Sequence, residues 1–291
     1  MEKFNYKNQV IEEQALSEKN YSDIKNLVDI CNKKDNTNLK FHLDGEEKSI
    51  TKFLFYDKEI LVAYFGIAPS YNIGTYYVWC AMNPDYRTKA IFLEVFKTVK
   101  DKCSELKVDT LKFINERGAT NLREFVKCEG GEKRYSTYTM KFNKEYYEEN
   151  SLECTDIVFS RATLDDLSDI IQIGMEAFGT TEDDEKLYNE SKLNDSKYNN
   201  FLCKINNIVV GIISARIFND EVSIADLAVL KSHRKRGIAR AILSKTIAYF
   251  LNDGMEKFIL SVETENKNAL SLYEHSGFRI ATINDCYEIK I

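Results

Sequence analysis

A short basic turn between a predicted strand and a predicted helix contains the first residues that could do chemistry. They are Arg234, Lys235, Arg236, Gly237 and Arg240. The first backbone N–H groups of a helix have no partner within it, and the helix dipole adds partial positive charge there. Gly237 has no Cβ atom, so an anion can approach its backbone closely. At about 1.5–3 kcal/mol for each hydrogen bond to a charged partner, about four or five amides could hold a diphosphate without a metal ion.

By itself, the turn could equally be a solvated basic loop, and a nucleic-acid-binding patch is a less favoured alternative. The next segment of the sequence favours an anion-binding site over these alternatives. A second predicted strand, 257–263, leads into the pattern Asn-x-x-Ala-x-x-Leu-Tyr-x-x-x-Gly-Phe at 266–278. Together with Arg-x-x-Gly-x-Ala at 234–239, this pattern resembles the acetyl-CoA-binding core of the GNAT superfamily of N-acetyltransferases. The resemblance covers about residues 157–291.

The resemblance implies transfer of an acetyl group from acetyl-CoA to a primary amine, with no metal ion. It also implies an α/β fold, a mixed, mostly antiparallel twisted sheet flanked by helices. Two central strands diverge in this fold, and the pantetheine arm pairs with the first of them. The residues expected to contact CoA are Leu227, Ala228, Val229, Arg234, Lys235, Arg236, Gly237, Ile238, Ala239, Arg240, Asn266, Ala269 and Tyr273. One backbone N–H at 227–229 can then polarise the thioester carbonyl.

Tyr273 is expected to act as the general acid that protonates the sulfur of the departing CoA. Its ordinary pKa of about 10 exceeds that of a thiol, about 8.5, so the transfer is uphill by about 1.5 units. Packing beneath the cofactor is the alternative role. Asn266 is expected either to hydrogen-bond the pantetheine or to cap the helix that follows it.

The general base must be sought among the carboxylates near the strand ends. An ammonium group with a pKa near 10.4 costs about 4.6 kcal/mol to deprotonate at pH 7, so a carboxylate acting through water would help. Glu263 is the first candidate, and Ser261 shares its face of the strand by two-residue alternation. Asp226 and Glu221 come next. Each of these carboxylates could equally be a plain solvated group.

Three regular elements position these residues. Strand 221–230 is predicted from its β-branched and apolar residues, and so is strand 257–263. Apolar residues every three or four positions predict a helix from Gly237 to Phe250. The helix is expected to end at 252–254, because glycine readily takes the left-handed conformation found there. Earlier in the chain, Thr163 and Asp166 have the spacing of a helix N-cap and its third residue.

The first half of the chain repeats the predicted order of helices and strands. The offsets are 148 residues from Phe53 to Phe201, 147 from Arg87 to Arg234 and from Gly130 to Gly277, and 145 from Lys112 to Lys257. We therefore predict two tandem GNAT-like domains, 1–150 and 151–291. A charged, tyrosine-rich stretch, 143–153, is the predicted linker between them.

The two copies differ where the chemistry would occur. Ala90 stands at the position of Gly237, and Val126 at that of Tyr273. A methyl group crowds the approach of a phosphate, and valine cannot transfer a proton. The first domain is therefore predicted to be a degenerate copy that supports the second, forms a dimer contact or closes the substrate site.

The acceptor is expected to lie near Phe178 and the polar tract 180–200. The acidic residues 182–185 in this tract could attract a cationic substrate, such as a polyamine or a lysine-bearing peptide. A solvated acidic loop is the favoured interpretation of these residues.

Composition excludes several classes of protein. The 291 residues are 44% hydrophobic and 30% charged, and the formal net charge of −6 argues against general nucleic-acid binding. Without 18 consecutive apolar residues, no membrane span is expected. The segment MEKFNYKNQVIEEQ lacks the apolar core of a signal peptide. The seven cysteines include no Cys-x-x-Cys pair, which predicts a reduced, cytoplasmic protein without structural zinc.

Two classes of function remain. The first is an acetyl-CoA-dependent N-acetyltransferase with one working site and a small-molecule or peptide amine as acceptor, and it can be a homodimer. The second is a regulatory or interaction module that binds CoA without turnover. The presence of Tyr273 beside the predicted phosphate cradle favours the enzyme.

Overall fold

The computed structural model describes residues 7–11, 16–39, 50–70, 72–147, 157–218 and 220–291. The chain divides into two compact units. The first unit consists of Met1–Ser136 and Ile283–Ile291, and the second of Thr137–Thr282. Each unit has its own buried apolar clusters, so each has the core that a domain requires.

The described residues form twelve strands and seven α-helices. The strands are β1 (Lys7–Ile11), β2 (Thr51–Asp57), β3 (Ile60–Pro69), β4 (Thr75–Met82), β5 (Thr110–Glu116), β6 (Glu132–Phe142), β7 (Val158–Arg161), β8 (Tyr198–Ile205), β9 (Ile208–Phe218), β10 (Glu221–Val229), β11 (Lys257–Glu263) and β12 (Phe278–Lys290). The helices are α1 (Glu18–Asp35), α2 (Lys89–Glu105), α3 (Thr120–Cys128), α4 (Leu167–Phe178), α5 (Glu182–Asn194), α6 (Ile238–Asn252) and α7 (Lys267–His275). The strands and helix predicted around the basic turn are thereby confirmed.

The sheets of the two units have the same pattern of pairing. Their strand orders are β1-β2-β3-β4-β5-β12 and β7-β8-β9-β10-β11-β6. The central pairs, β4 with β5 and β10 with β11, are parallel. The other described pairs are antiparallel. The predicted fold class, a mixed, mostly antiparallel sheet flanked by helices, is confirmed in each unit, and the shared pattern supports the predicted repeat.

Helices α2 and α6 take equivalent places in the two units because both carry an apolar stripe at helical spacing. α2 buries Ile91, Phe92, Val95, Phe96, Val99 and Cys103. α6 buries Ile238, Ala241, Ile242, Leu243, Thr246, Ile247 and Phe250. A second apolar cluster in each unit contains residues of α1 or of α4. Burial of one large apolar side chain contributes about 1.5–3 kcal/mol, so these stripes fix the helices on the sheets.

Two strands divide the chain differently from the predicted halves. Residues 284–290 of β12 pair with β5 and complete the sheet of the first unit. Residues 137–141 of β6 pair with β11 and complete the sheet of the second. The predicted boundary between 1–150 and 151–291 concerns the two sequence copies and stays a prediction. Of the predicted linker, residues 148–153 lie outside the described residues.

The polar tract after α4 contains a helix, so the acidic residues 182–185 do not form the loop that was predicted, although Glu182 and Asp183 are exposed to solvent as that interpretation expected. Helix α5 begins at an N-cap, Thr181, whose side chain accepts a hydrogen bond from the amide of Asp184 at 3.2 Å. On its inner face, α5 buries the polar residues Glu185, Asn189 and Lys192. These positions recur every three or four residues, as the buried face of a helix must. The tract therefore contributes a polar wall to the second unit.

Candidate active site

Strands β10 and β11 separate partway along their length. Among the described residues they pair as far as Ile224 and Leu260. Beyond that point β10 stays paired with β9, and β11 with β6. A gap therefore opens between residues 225–229 and residues 261–263. This gap is the divergence of the two central strands expected from the sequence resemblance.

Backbone groups of β10 border this gap. The N–H of Leu230 donates to the carbonyl of Val210 on β9 at 2.9 Å. Since successive residues of a strand turn their polar groups to alternate sides, Leu227 and Val229 direct theirs to the gap, and Ala228 directs its groups to β9. Of the three residues predicted to pair with pantetheine, two thus present backbone groups on the required side.

The basic turn after β10 is held by one of its own arginines. Arg234 Nε donates to the carbonyl oxygen of Val229 at 2.8 Å. Lys235 and Gly237 have φ values of 60° and 77°, in the left-handed region. Glycine is the residue that tolerates this conformation best, and a Cβ atom added at Gly237 would have no neighbour within 4 Å. Glycine thus sets the turn, and the space in front of it is open.

The N terminus of α6 has no side-chain cap among the described residues. The amide of Ala241 donates to the carbonyl of Gly237 at 3.0 Å, so the amides from Gly237 to Arg240 precede the first helical hydrogen bond. Lys235 and Arg236 are exposed, Ala239 and Arg240 are half-buried, and Ile238 is buried. Ile238 can therefore offer a ligand only its backbone amide.

Helix α7 carries the second predicted motif. Asn266 is its N-cap, and the Asn266 side chain accepts a hydrogen bond from the amide of Ala269 at 3.1 Å. Of the two roles predicted for Asn266, the structure shows the cap. Ala269 and Tyr273 pack against the apolar cluster of the second unit. The ring of Tyr273 meets that of Phe278 edge to face at 6.1 Å.

The environment of Tyr273 changes its acidity. Burial, followed by the negative charge of Asp226, raises the pKa of Tyr273 to about 12. The hydroxyl therefore stays protonated throughout the neutral range. Proton transfer to a thiolate of pKa about 8.5 is then uphill by about 3.5 units, or about 4.8 kcal/mol, more than its ordinary pKa would give. Tyr273 is an available proton donor but a weak one.

The predicted carboxylates occupy different surroundings. Glu263 and Ser261 are exposed on one face of β11, at the edge of the gap. Glu221 lies at the other end of β10, where the two strands are still paired. Asp226 lies at the start of the gap, and its charge acts on Tyr273. The structure thus places Asp226 and Glu263 at the gap and separates Glu221 from it.

Sequence reasoning missed two side chains that surround Asp226. Lys192 of α5 forms an ion pair with Asp226, and the hydroxyl of Tyr188 donates to the same carboxylate at 3.0 Å. Lys192 Nζ also donates to Ser214 Oγ at 2.6 Å. The spacing of positions 185, 188 or 189, and 192 was the signal available, but because these residues are polar it resembled a solvated face.

The first unit has an equivalent turn, but the polar groups of that turn have additional partners within the protein. Arg87 Nε donates to the carbonyl of Met82 at 2.8 Å, 147 residues before the equivalent bond of Arg234. Arg87 also forms an ion pair with Asp35 at 2.6 Å. The N terminus of α2 is capped, because the amide of Ile91 donates to Thr88 Oγ1 at 3.3 Å. In the first unit, the guanidinium group of Arg87 and the amide of Ile91 therefore already have partners within the protein.

A small, partly open pocket in the first unit lies beside Arg87 and Met82 of the equivalent turn. Its lining residues are Cys31, Asp35, Leu39, Phe65, Cys80, Ala81, Met82, Arg87, Phe92, Ala119, Leu122 and Phe125. The rings of Phe92 and Phe125 stack at 4.9 Å where the second copy has Ala239 and Leu272. Large aromatic side chains thus occupy much of the space that a cofactor arm would need.

Neither a metal-binding cluster nor a membrane-spanning helix occurs among the described residues. No group of three or more His, Cys, Asp or Glu side chains there is arranged to hold a metal ion. None of the helices in the described ranges is long and apolar enough to cross a membrane.

Known proteins resemble the second unit in sequence. Residues 164–278 match the family profile described as the acetyltransferase (GNAT) family. The [ribosomal protein bS18]-alanine N-acetyltransferase of Escherichia coli is 30% identical over 91 residues, which are 31% of this chain and 62% of that protein. The chain spans less than two thirds of the length of the curated relatives that it matches first.

Solved structures resemble the whole chain in fold. A GCN5-related N-acetyltransferase from Sphaerobacter thermophilus has a TM-score of 0.74 at 16% identity and covers 97% of this chain and 95% of its own. A tandem GNAT protein from the clavulanic acid biosynthesis pathway has a TM-score of 0.72 at 9% identity, with 98% of each chain covered. At these identities the likeness establishes the fold alone, and it confirms the predicted tandem GNAT-like architecture.

Proposed function

Because residues 164–278 match the profile of the acetyltransferase (GNAT) family, we propose that this chain transfers an acetyl group from acetyl-CoA directly to a primary amine. The observation that carries the proposal is the uncapped, glycine-initiated N terminus of α6 at the edge of the strand gap. An uncapped helix N terminus binds anions through its free amides and its dipole. The open space in front of Gly237 leaves room for a diphosphate.

Different residues around the gap would bind different parts of acetyl-CoA. The amides from Gly237 to Arg240 would hold the diphosphate, and the exposed side chains of Lys235 and Arg236 would add positive charge. Backbone groups of Leu227 and Val229 would pair with the pantetheine arm. When bound, acetyl-CoA supplies the acetyl group as an activated thioester. The N–H of Leu227 or Val229 would stabilise negative charge that develops on the carbonyl oxygen.

Proton transfers complete the proposed reaction. Tyr273 would donate its proton to the leaving sulfur, which its raised pKa makes slow unless the thiolate is poorly solvated. Glu263, exposed at the gap, would remove a proton from the incoming ammonium through water. Asp226 is less suited to this task, because its carboxylate is already bound to Lys192 and Tyr188.

The name of one relative supports a particular class of acceptor. The E. coli relative is named for acetylation of an alanine of a ribosomal protein. We therefore infer that the α-amine of a protein or peptide is the first acceptor class to test, ahead of polyamines and free amino compounds. A cytoplasmic location would give access to such substrates.

The first unit is proposed to support the second without binding CoA. Thr88 caps the helix that would hold the phosphates, and Asp35 neutralises Arg87. Val126, at the position of Tyr273, is fully buried. At the position of the proposed acid, this unit would therefore have no group that transfers a proton.

One observation favours a second candidate function. The pKa of about 12 makes Tyr273 a poor acid, which suits a module that binds CoA without turnover. The full chain should be incubated with acetyl-CoA and a panel of peptides with different N-terminal residues, while free thiol is measured. Amine-dependent release of CoA is the expected result. Stoichiometric binding of acetyl-CoA with no thiol release for any amine would establish the binding module instead.

A further inference from the structure

An irregularity in β10 lies where the strand gap begins. The pairing with β9 joins Ala225 to Ser214 and then Ala228 to Ile212, so β10 has one extra residue. Asp226, within this bulge, has a φ of 53°, a left-handed conformation that is unfavourable for residues with a Cβ atom. The amide of Leu227, which the proposed function uses, follows directly. The direction of that amide therefore depends on the bulge.

The side chain of Asp226 is anchored from outside the strand. Tyr188 donates to its two carboxylate oxygens at 3.2 and 3.0 Å, and Lys192 forms an ion pair with it. Lys192 and Asp226 expose only 2% and 19% of their side chains. Both partners of Asp226 lie on α5. The conformation of the bulge is thus linked to the helix that borders the acceptor side.

The ammonium group of Lys192 has all its donors in use. It reaches Asp226, Ser214 Oγ at 2.6 Å and the hydroxyl of Tyr188 at 3.3 Å, which accounts for three N–H bonds. The rings of Tyr188 and Tyr198 lie 4.4 and 5.3 Å from Nζ. A buried ion pair persists only when its remaining hydrogen-bonding groups are satisfied, and this one is.

We propose that Lys192 and Tyr188 are positioning residues, which hold Asp226 and thereby keep the bulge in the conformation that aims the Leu227 amide into the strand gap. This inference rests on the proposed acetyl transfer. The anchor acts mainly on the transfer step, because the N terminus of α6 holds the diphosphate separately and Leu227 supplies only part of the pairing with pantetheine. Loosening the anchor should therefore lower kcat far more than it raises the Kd for CoA.

Two single variants, one double variant and one control variant test the anchor. Tyr188→Phe removes one hydrogen bond without leaving a buried charge, and we expect kcat to fall about tenfold. Lys192→Met leaves the Asp226 carboxylate without its cation, and we expect kcat to fall about a hundredfold. Lys204→Met is the matched control, because it breaks another lysine–aspartate pair of the second unit, with Asp166 at 3.0 Å, away from β10. In all of them the Kd for CoA should stay within twofold of the parent.

The double variant separates positioning from simple stability. In Lys192→Met with Asp226→Asn, both charges are removed, and asparagine tolerates the left-handed conformation. Its melting temperature should return toward that of the parent, while kcat stays low because the anchor is still absent. Recovery of kcat together with stability would overturn the proposal. If Lys192→Met alone does not fold, the kcat values of Tyr188→Phe and of the double variant still test the positioning role.

The NMR resonances of two backbone amides distinguish a failure of the positioning role from a failure of the proposed CoA site. On addition of acetyl-CoA to the full chain, the Gly237 amide reports binding and the Leu227 amide reports positioning. We expect both to shift in the parent and in Lys204→Met, and only Gly237 to shift in Lys192→Met. Shifts at both amides in Lys192→Met would refute the positioning role. Absence of both shifts in the parent would refute the proposed CoA site itself.

Discussion

Replacing Gly237 with glutamate tests the contribution of the α6 N terminus to CoA binding. A Cβ atom at this position has no neighbour within 4 Å, so a longer side chain meets no steric clash with the protein. The φ of 77° remains, and it costs a non-glycine residue about 1–2 kcal/mol of folding free energy. Reduced freedom of the unfolded chain offsets about 0.4–1 kcal/mol of this cost. The variant should therefore fold, with a loss of about 1 kcal/mol in stability.

The effect on CoA binding should be much larger. The added carboxylate would occupy the place of the diphosphate with the same sign of charge. Loss of two charge-assisted hydrogen bonds at about 1.5–3 kcal/mol each raises the Kd by a factor of about 10² to 10⁴. Titration calorimetry of the parent and the variant with CoA measures this ratio directly. Gly237→Ala should show the same small loss of stability with a weaker effect on affinity.

Ala90→Glu is the matched control in the first unit. The substitution places a carboxylate in the exposed first turn of α2, where the helix dipole favours it by about 0.3–1 kcal/mol. The Kd for CoA should not change. A Gly237→Glu variant that is folded and binds CoA within threefold of the parent would refute the assignment of the phosphate site. An equal loss of affinity in Ala90→Glu would place the ligand elsewhere.

Three further predictions concern catalysis and stability. Tyr273→Phe should lower kcat about a hundredfold with an unchanged KM for acetyl-CoA, and because the pKa of Tyr273 is about 12, the parent should show no loss of rate from its ionisation below about pH 10. Burial would raise the pKa of Asp285, but hydrogen bonds from Arg117, Lys133 and Ser136 outweigh it and hold that pKa well below its ordinary value. The ionised Asp285 carboxylate therefore contributes its full stabilisation above about pH 4, which is its pKa in the unfolded chain, and this stabilisation is lost as the pH falls further. In urea unfolding, Asp285→Asn should be about 1–3 kcal/mol less stable than the parent at pH 7. The difference should be smaller at pH 3. Ile289→Asp places a charge in the core of the first unit and should cost more than about 3 kcal/mol, seen as faster hydrogen exchange in that unit.

Each of these has a result that contradicts it. Equal kcat in Tyr273→Phe and the parent at every pH would remove the acid role. An equal difference at pH 7 and pH 3 would mean that folding does not lower the pKa of Asp285. For Ile289→Asp the control is Ile280→Asp in the same strand, where the isoleucine is 44% exposed and the cost should stay within about 0.5 kcal/mol. Equal exchange in the two variants would show that burial of β12 is not what stabilises the first unit.

Much of the fold could be predicted because local patterns specify it. The strand at 221–230 and the helix from 237 show period-two and helical spacing of apolar residues, and both are present. Thr163 and Asp166 were predicted as a capping pair, and the Thr163 amide donates to Asp166 Oδ2 at 3.0 Å. The offset of 147 residues proved structural, since Arg87 and Arg234 each hold the carbonyl five residues before them.

Other features depend on contacts that a pattern of apolar residues cannot show. Helix α5 has a polar inner face, so apolar periodicity does not mark it. The anchor of Asp226 joins residues 34 and 38 positions apart in sequence. The pairing of β12 with β5 joins Asp285 to Asn115, and strand sequences alone do not choose between two edges of similar composition. For the same reason, Asp226, whose charge acts on Tyr273, could not be ranked first among the candidate carboxylates.

The position of residues 283–291 has a consequence for biosynthesis. The ribosome delivers β6, β7 and all of the second unit before it delivers the segment that pairs with β5. The second unit can therefore close its sheet first, although its sequence is translated later. Until residue 290 emerges, β5 offers an unpaired edge, and such edges invite association with other nascent chains. Chaperone dependence should accordingly concentrate on the half that is synthesised first.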